Sequence, residues 1–238
     1  MVNVFNSKGQ APILLVCEHA TNFIPARFKD LGLTPTQLQS HIAWDPGAIE
    51  TAEAMAKMLD APLISATVSR LIYDCNRPPE SATAMPLASE NQIIPGNVDL
   101  SEASRKQRVA HYYRPFETAL SERVALMGKP LIITVHSFTP VFLGEQRQVE
   151  IGVLHDIDRR FADAFLQQTS LDARFNIQRN QPYAATDGVT HTLKHHAVAR
   201  GLANVMFEIR NDLIVSALQQ QQMAAYLANH INVALDAI

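Results

Sequence analysis

Strands alternating with helices predict an α/β fold for this chain, a mostly parallel mixed sheet covered on both faces by helices in three layers. Three observations carry that expectation. Two runs, PILLVC at 12–17 and PLIITV at 130–135, are almost wholly apolar, as in strands buried on both faces. Segments of helical period lie between the strand-like runs. Each apolar run also breaks abruptly into residues that carry chemistry, as strands do at the carboxyl edge of a parallel sheet, where open α/β folds place their ligands.

The elements follow in order. After the first strand comes a loop with Pro25, then a short helical piece that Thr34 caps ahead of Pro35. Residues 46–59 have apolar positions at helical spacing and open with Pro46 after Asp45, a good N-cap type. Residues 62–68 and 70–74 read as strands. The stretch 78–100, with its prolines and serines, reads as a long surface loop, and loops of that length are more often functional than idle. One long helix is expected over 102–127, stopping at Gly128. A strand at 149–155, a helix at 157–169, an irregular stretch around Asn180-Gln181-Pro182-Tyr183 and a helix near 190–200 follow. Residues 205–209 form the last strand and 212–236 the last helix. Neither repeat nor linker divides the chain, so 1–238 is expected to be one domain.

Composition narrows the function classes. A net charge of −3 and a pI near 6.3 offer no general attraction to nucleic acid or an anionic membrane, so a small polar ligand is the first expectation. There is no apolar run of eighteen residues, and the first ten residues lack the hydrophobic stretch of a signal peptide. Cys17 and Cys75 both fall in strand-like segments, so a disulfide framework is not expected and a reducing cytoplasm is.

The chemistry assembles from the strand ends. His19 and His136 follow the two apolar runs and supply two ligands of the three that a catalytic zinc takes, leaving one position open. Asp45 is the favoured third ligand for its hard anionic oxygen, with Asn22 and Glu18 as alternatives; Asp45 has a competing reading as the cap of the helix that follows it. Glu18 points away from His19 by strand alternation. Glu208, flanked by Phe207 and Ile209, is costly to bury without a task, and low polarity raises its pKa toward the range of a general base. Its competing reading is an ion pair with Arg210. Arg70 and Arg77 bracket Asp74 and offer planar forks for a substrate carboxylate or a developing oxyanion, or else a salt bridge to Asp74.

The segments CEHATNFIP, SRLIYDCNR, VHSFTP and FEIRNDLI, in this order, resemble the N-formylglutamate amidohydrolase family. More distantly, the order of His, Asn-Arg, His-Ser-aromatic and Glu-hydrophobic is similar to zinc carboxypeptidases and aspartoacylase-like deacylases. The resemblance implies a phosphorylase/hydrolase-like α/β fold and one zinc ion, with hydrolysis of the N-acyl amide of a small carboxylate-bearing substrate such as N-formyl-L-glutamate. Carried onto this sequence, it makes His19 and His136 zinc ligands and Glu208 the base that activates water. Arg70 then steadies the oxyanion, while Asn76 and Arg77 hold the substrate carboxylate. The carboxypeptidase pattern has a glutamate three residues after its first histidine, where this chain has Asn22. Alternatives to the formyl hydrolase are a carboxypeptidase-like or other N-acyl amino acid deacylase, and a non-catalytic carboxylate-binding protein on the same fold.

Other polar residues are expected to do less. His191 and His195 stand one helical turn apart, but Thr192 replaces the glutamate of the zincin pattern, so they and His196 are read as ordinary residues rather than a second metal site. Tyr183 lies where a gating side chain would sit, although an ordinary loop role is the simpler reading. Ser137 has no glycine-flanked elbow and is not expected to be a nucleophile.

Overall fold

The structure, a computed structural model, describes residues 2–238. In chain order its elements are β1 (Val2–Phe5), β2 (Ile13–Cys17), α1 (Pro35–Gln39), α2 (Ala48–Met58), β3 (Leu63–Ala66), β4 (Ala88–Ser89), β5 (Gln92–Ile93), α3 (Glu102–Arg108), α4 (Arg114–Met127), β6 (Leu131–Phe138), β7 (Val141–Phe142), β8 (Glu145–Gln146), β9 (Ile151–Leu154), α5 (Arg160–Thr169), β10 (Ile177–Arg179), β11 (Asn204–Arg210) and α6 (Ala217–Leu235).

Seven strands form the central sheet in the order β1-β3-β2-β6-β11-β9-β10. The four strands β3, β2, β6 and β11 run parallel, while β9 is antiparallel to β11 and β1 to β3. This is the expected mostly parallel mixed sheet. Every residue of β2 and β6 is buried, because helices cover both faces. Alternation sorts the side chains: Leu15, Ile133 and Phe207 face Met55, Phe161, Phe165 and Leu227, the inner side of α2, α5 and α6. Leu14, Val16, Ile132 and Met206 face Tyr113, Phe116, Leu120 and Leu193 on the other side. Each such fully buried side chain contributes about 1.5–3 kcal/mol of transfer free energy, so the sheet is a rigid platform for whatever its edge carries.

The structure differs from the sequence reading in several places. Residues 70–74 are not a strand: after β3 the chain coils, with Ile72 N donating to Ser69 O and Asp74 N to Ala84 O, and this turn delivers Arg70 and Asp74 to the same side. The long helix is interrupted by a π-helical turn at Val109–Tyr113, two residues before Pro115. Proline lacks the N–H for the helical ladder and crowds the carbonyl four residues back, which the wider turn accommodates. Asp45 does not cap α2. The N-cap is Gly47 at φ +80°, where a Cβ would meet Ile214 O at 2.4 Å, so only glycine fits and the Asp45 carboxylate is free for other work. The last helix begins at Ala217, not 212, behind a Ser216–Gln219 capping box. Two short edge strands, β1 and β10, and the hairpins β4–β5 and β7–β8 were not anticipated, since two to four residues give too little periodicity. No helix among the described residues is long and apolar enough to cross a membrane.

Candidate active site and metal centre

The carboxyl edge of the parallel strands gathers the predicted residues. His19 lies just beyond β2, and its carbonyl accepts from Asp45 N at 3.0 Å, which ties the two loops together. His136 is inside β6 and is the register partner of Glu208 on β11. The turn after β3 brings Arg70, Asp74, Asn76 and Arg77. All line one cavity of about 450 Å³, a size suited to a small molecule.

Three donors converge at its floor. His136 Nδ1 lies 2.9 Å from Asp45 Oδ2 and 3.1 Å from His19 Nδ1, and His19 Nδ1 lies 3.2 Å from Asp45 Oδ2. Ligands about 2.0–2.1 Å from a tetrahedral ion stand roughly 3.3 Å apart, so this triangle is nearly the face of such a site. The other ring nitrogens point away from it toward carboxylates. His19 Nε2 lies 2.8 Å from Asp74 Oδ1, and His136 Nε2 lies 3.1 Å from Glu18 Oε2, the latter contact off the hydrogen-bond line. A carboxylate behind each imidazole fixes the ring, the usual outer arrangement of histidine metal ligands. His19, Asp45 and His136 therefore fit a divalent ion. Asn22 turns elsewhere and donates to Leu38 O at 3.0 Å. Glu18, weighed as a ligand, instead stands behind His136, because it lies past the end of β2, where strand alternation no longer applies.

The charge balance points the same way. Glu18, Asp45, Asp74 and Glu208 are all buried, and Arg70 pairs with two of them, 3.3 Å from Asp45 Oδ1 and 2.9 Å from Asp74 Oδ2. Burial would raise the Asp45 and Asp74 carboxyls, but the imidazoles, and for Asp74 also Arg70, hold both well below the usual range. Burial would likewise lower His136, yet Glu18 and Asp45 drive it well above an ordinary histidine. Such a pocket demands positive charge, which a proton or a metal cation supplies.

Glu208 is the exception among these acids. It is 5% exposed, and burial pushes its carboxyl up to about 7 against the pull of His136, His19 and Arg70. Its expected competitor, an ion pair with Arg210, is not formed: Arg210 binds Asp212 at 2.8 Å and Glu150 at 3.4 Å. Adjacent residues of a strand point to opposite faces, and two apart would share one, but Arg210 leans outward at the strand's end.

The Arg and Asn residues divide their work. Arg77 is half-buried, with Nε donating to Thr83 Oγ1 at 3.2 Å and Nη1 to Asn76 O at 2.9 Å, and it makes no ion pair with Asp74. Asn76 is fully buried; its amide donates to Val189 O and accepts from Thr192 N at 3.0 Å, so it anchors the 189–192 segment to the site. Ser137 donates its hydroxyl to Pro46 O and its N–H to Asp45 Oδ2 at 3.2 Å, a structural post.

Tyr183 lines the cavity and stacks with Arg147, 5.0 Å from its ring. Residue 181 reaches in because β9 has Gly152 opposite Glu208; a Cβ there would sit 1.9 Å from Gln181 O. His191, His195 and His196 stand apart from the metal trio. His191 bonds Tyr113 Oη at 2.8 Å, His195 contacts Glu117 at 3.1 Å, and the two rings stack at 5.7 Å without converging on a point. Sequence reasoning missed Asp74 and Glu18 as partners of the histidines, and missed the mouth, where His41 Nε2 meets Glu90 at 2.8 Å. The spacing of Arg70 and Asp74 was visible; their common target was not.

Residues 11–215 match the N-formylglutamate amidohydrolase family model. The gene product Atu2144 of Agrobacterium tumefaciens, known from a crystal structure, is 48% identical over 99% of this chain and 95% of its own, with a TM-score of 0.97. The crystal structure of N-formylglutamate amidohydrolase from Ralstonia eutropha JMP134 is 20% identical over 98% of this chain and 94% of its own, with a TM-score of 0.63, a likeness of fold. No curated protein matches the chain. The family match covers most of the sequence and takes in every residue of the cavity floor, and the chain belongs to the N-formylglutamate amidohydrolase family.

Proposed function

We propose that this protein is a zinc-dependent amidohydrolase that hydrolyses the N-acyl amide of N-formyl-L-glutamate or a closely related N-acyl amino acid, giving formate, or the corresponding acid, and the free amine. The observation that carries this reading is the triangle of His19 Nδ1, Asp45 Oδ2 and His136 Nδ1 in one cavity with the proton-accepting Glu208 and with Arg77. A zinc ion held by those three donors supplies a Lewis acid for water and for the acyl oxygen.

The chain's own groups do the rest. Glu208, whose carboxyl burial raises above the ordinary carboxylate range in the metal-free protein, takes the proton of the attacking water and returns it to the leaving nitrogen. Arg70 is pinned by Asp45 and Asp74 but leaves 27% of its side chain exposed, so its fixed charge faces the negative charge growing on the acyl oxygen. Arg77, held in place by Thr83 and the Asn76 carbonyl, grips the substrate carboxylate; Asn76 contributes by positioning it. Asp74 and Glu18 keep the imidazoles turned with Nδ1 inward.

The test is a coupled measurement of formate and amine released from N-formyl-L-glutamate, compared with N-acetyl-L-glutamate and with a C-terminal dipeptide. Stoichiometric formate and glutamate, abolished by a chelator and restored by zinc, is expected. Turnover of the dipeptide in preference would make the protein a carboxypeptidase. No turnover of any of them by zinc-loaded protein would leave a binding protein.

A further inference from the structure

On the far side of the turn that carries Arg70 and Asp74, a second cavity of about 410 Å³ opens between the 26–32 segment, α3 and the π-helical turn, lined by Arg27, Phe28, Leu100, Ser104, Arg108 and Tyr112 among others. We propose that this cavity is a binding site for an organic phosphomonoester, separate from the catalytic pocket.

The first support is a buried charge without a counter-ion. Arg108 is 4% exposed, yet its Nη1 donates to Ile72 O at 3.1 Å and Asn97 Oδ1 at 2.7 Å, and its Nη2 to Gly96 O at 3.3 Å. Among the described residues no carboxylate lies at ion-pair distance from it, although buried charges are ordinarily paired. Burial, together with neighbouring Arg105, lowers its pKa, so the cation is held where its surroundings do not favour it.

The second support is convergence. Arg27 is exposed and also has no acidic partner among the described residues; its Nη2 bonds Tyr112 Oη. The guanidinium carbons of Arg27 and Arg108 each lie 4.9 Å from the centroid of the same Phe28 ring, and both side chains line the cavity, which has no carboxylate among its lining residues. A dianion seated in that cavity would face both guanidinium groups and take charge-assisted hydrogen bonds from their spare N–H groups. Ser104 Oγ accepts from Ser101 Oγ at 3.0 Å and keeps its own proton for a ligand. Donors arriving from separate elements suit a tetrahedral phosphate, which accepts in several planes, better than a flat carboxylate.

The remaining walls define the rest of the ligand. Phe28, Tyr112 and Leu100 form an apolar half, with the two rings 6.3 Å apart and tilted, and the volume is that of a small-molecule site rather than of a bare anion. Occupancy would be felt at the active site through Arg108, which holds Ile72 O, and through Asn97, which holds Leu71 O at 2.9 Å in the turn beside Arg70.

Isothermal titration with phenyl phosphate and with inorganic phosphate, at an ionic strength fixed by sodium chloride, tests the site in the wild type and in Arg27→Glu. Arg27 is exposed, so the variant should keep the fold, which its circular dichroism checks. Saturable binding of phenyl phosphate is expected, weaker by at least tenfold in Arg27→Glu, with inorganic phosphate weaker than phenyl phosphate in the wild type. Absence of saturable binding, or equal affinity in Arg27→Glu, would overturn the proposal. Equal affinity for the two phosphates would overturn its organic half.

Discussion

His19 Nε2 and Asp74 Oδ1 lie 2.8 Å apart, both buried, and the same Asp74 carboxylate binds Arg70 through its other oxygen at 2.9 Å. One side chain thus sets the direction of a proposed metal ligand and of the guanidinium proposed to face the reacting carbonyl. Asp74→Asn should keep the volume but lose the charge, and should weaken zinc binding by about 10–100-fold. Competition with a fluorescent chelator measures this. Unchanged affinity would show that the backbone alone orients His19.

Arg77→Ala should cost about 2–3 kcal/mol in kcat/KM, the scale of losing a charge-assisted hydrogen bond, with most of it in KM. Amidating the substrate carboxylate should penalise the wild type far more than the variant. Equal penalties in both would make Arg77 a brace for the Asn76–Thr83 loop.

Glu208→Gln should lower kcat by at least roughly 10²-fold while zinc remains bound. In the wild type the acidic limb of kcat/KM should report the loss of the Glu208 proton, and this limb should vanish or move in the variant. The same raised pKa has a stability cost. Unfolded Glu titrates near 4.3, so the stabilisation from the protonated, folded carboxyl is full below that pH and is lost as pH rises through about 7. Metal-stripped Glu208→Gln should therefore gain on the order of 1–3 kcal/mol over wild type at pH 8 and almost nothing at pH 4. Denaturant titrations at the two pH values decide it.

Gly152→Ala should destabilise the protein and disturb the pocket, since the added Cβ would overlap Gln181 O and displace the segment that carries Tyr183. A loss of about 1–3 kcal/mol, the range for overpacking, together with altered kcat/KM, is expected. An unchanged midpoint would mean that the 180–183 segment yields freely.

The fold was legible because its central strands are extreme. PILLVC and PLIITV leave no polar face, so they had to lie inside a covered sheet, and the edge where His19 and His136 gather follows from that. Edge strands such as Val2–Phe5 escaped notice because half their residues face solvent and a four-residue alternation is weak. Arg70 and Asp74 were noticed on an expected strand; their shared task depends on a turn held by Ser69 Oγ on Ala43 O, a contact 26 residues away in sequence. The preference for Asp45 over Asn22 rested on oxygen chemistry, and its geometry rested on Gly47 taking over the start of α2, which no local propensity announces. The second cavity was invisible for the same reason: Arg27 and Arg108 meet only because the 26–32 segment folds against the helix pair.

The most direct test of the account is the zinc content of reconstituted, gel-filtered protein, measured by mass spectrometry for the wild type, His136→Ala, Asp45→Ala and Asn22→Ala. The account predicts about one tightly held zinc per chain in the wild type and in Asn22→Ala, as for a site with three protein ligands, and loss of most of it in His136→Ala and Asp45→Ala with the fold retained. A wild type that holds no zinc, or an Asp45→Ala variant that keeps its full complement, would contradict it.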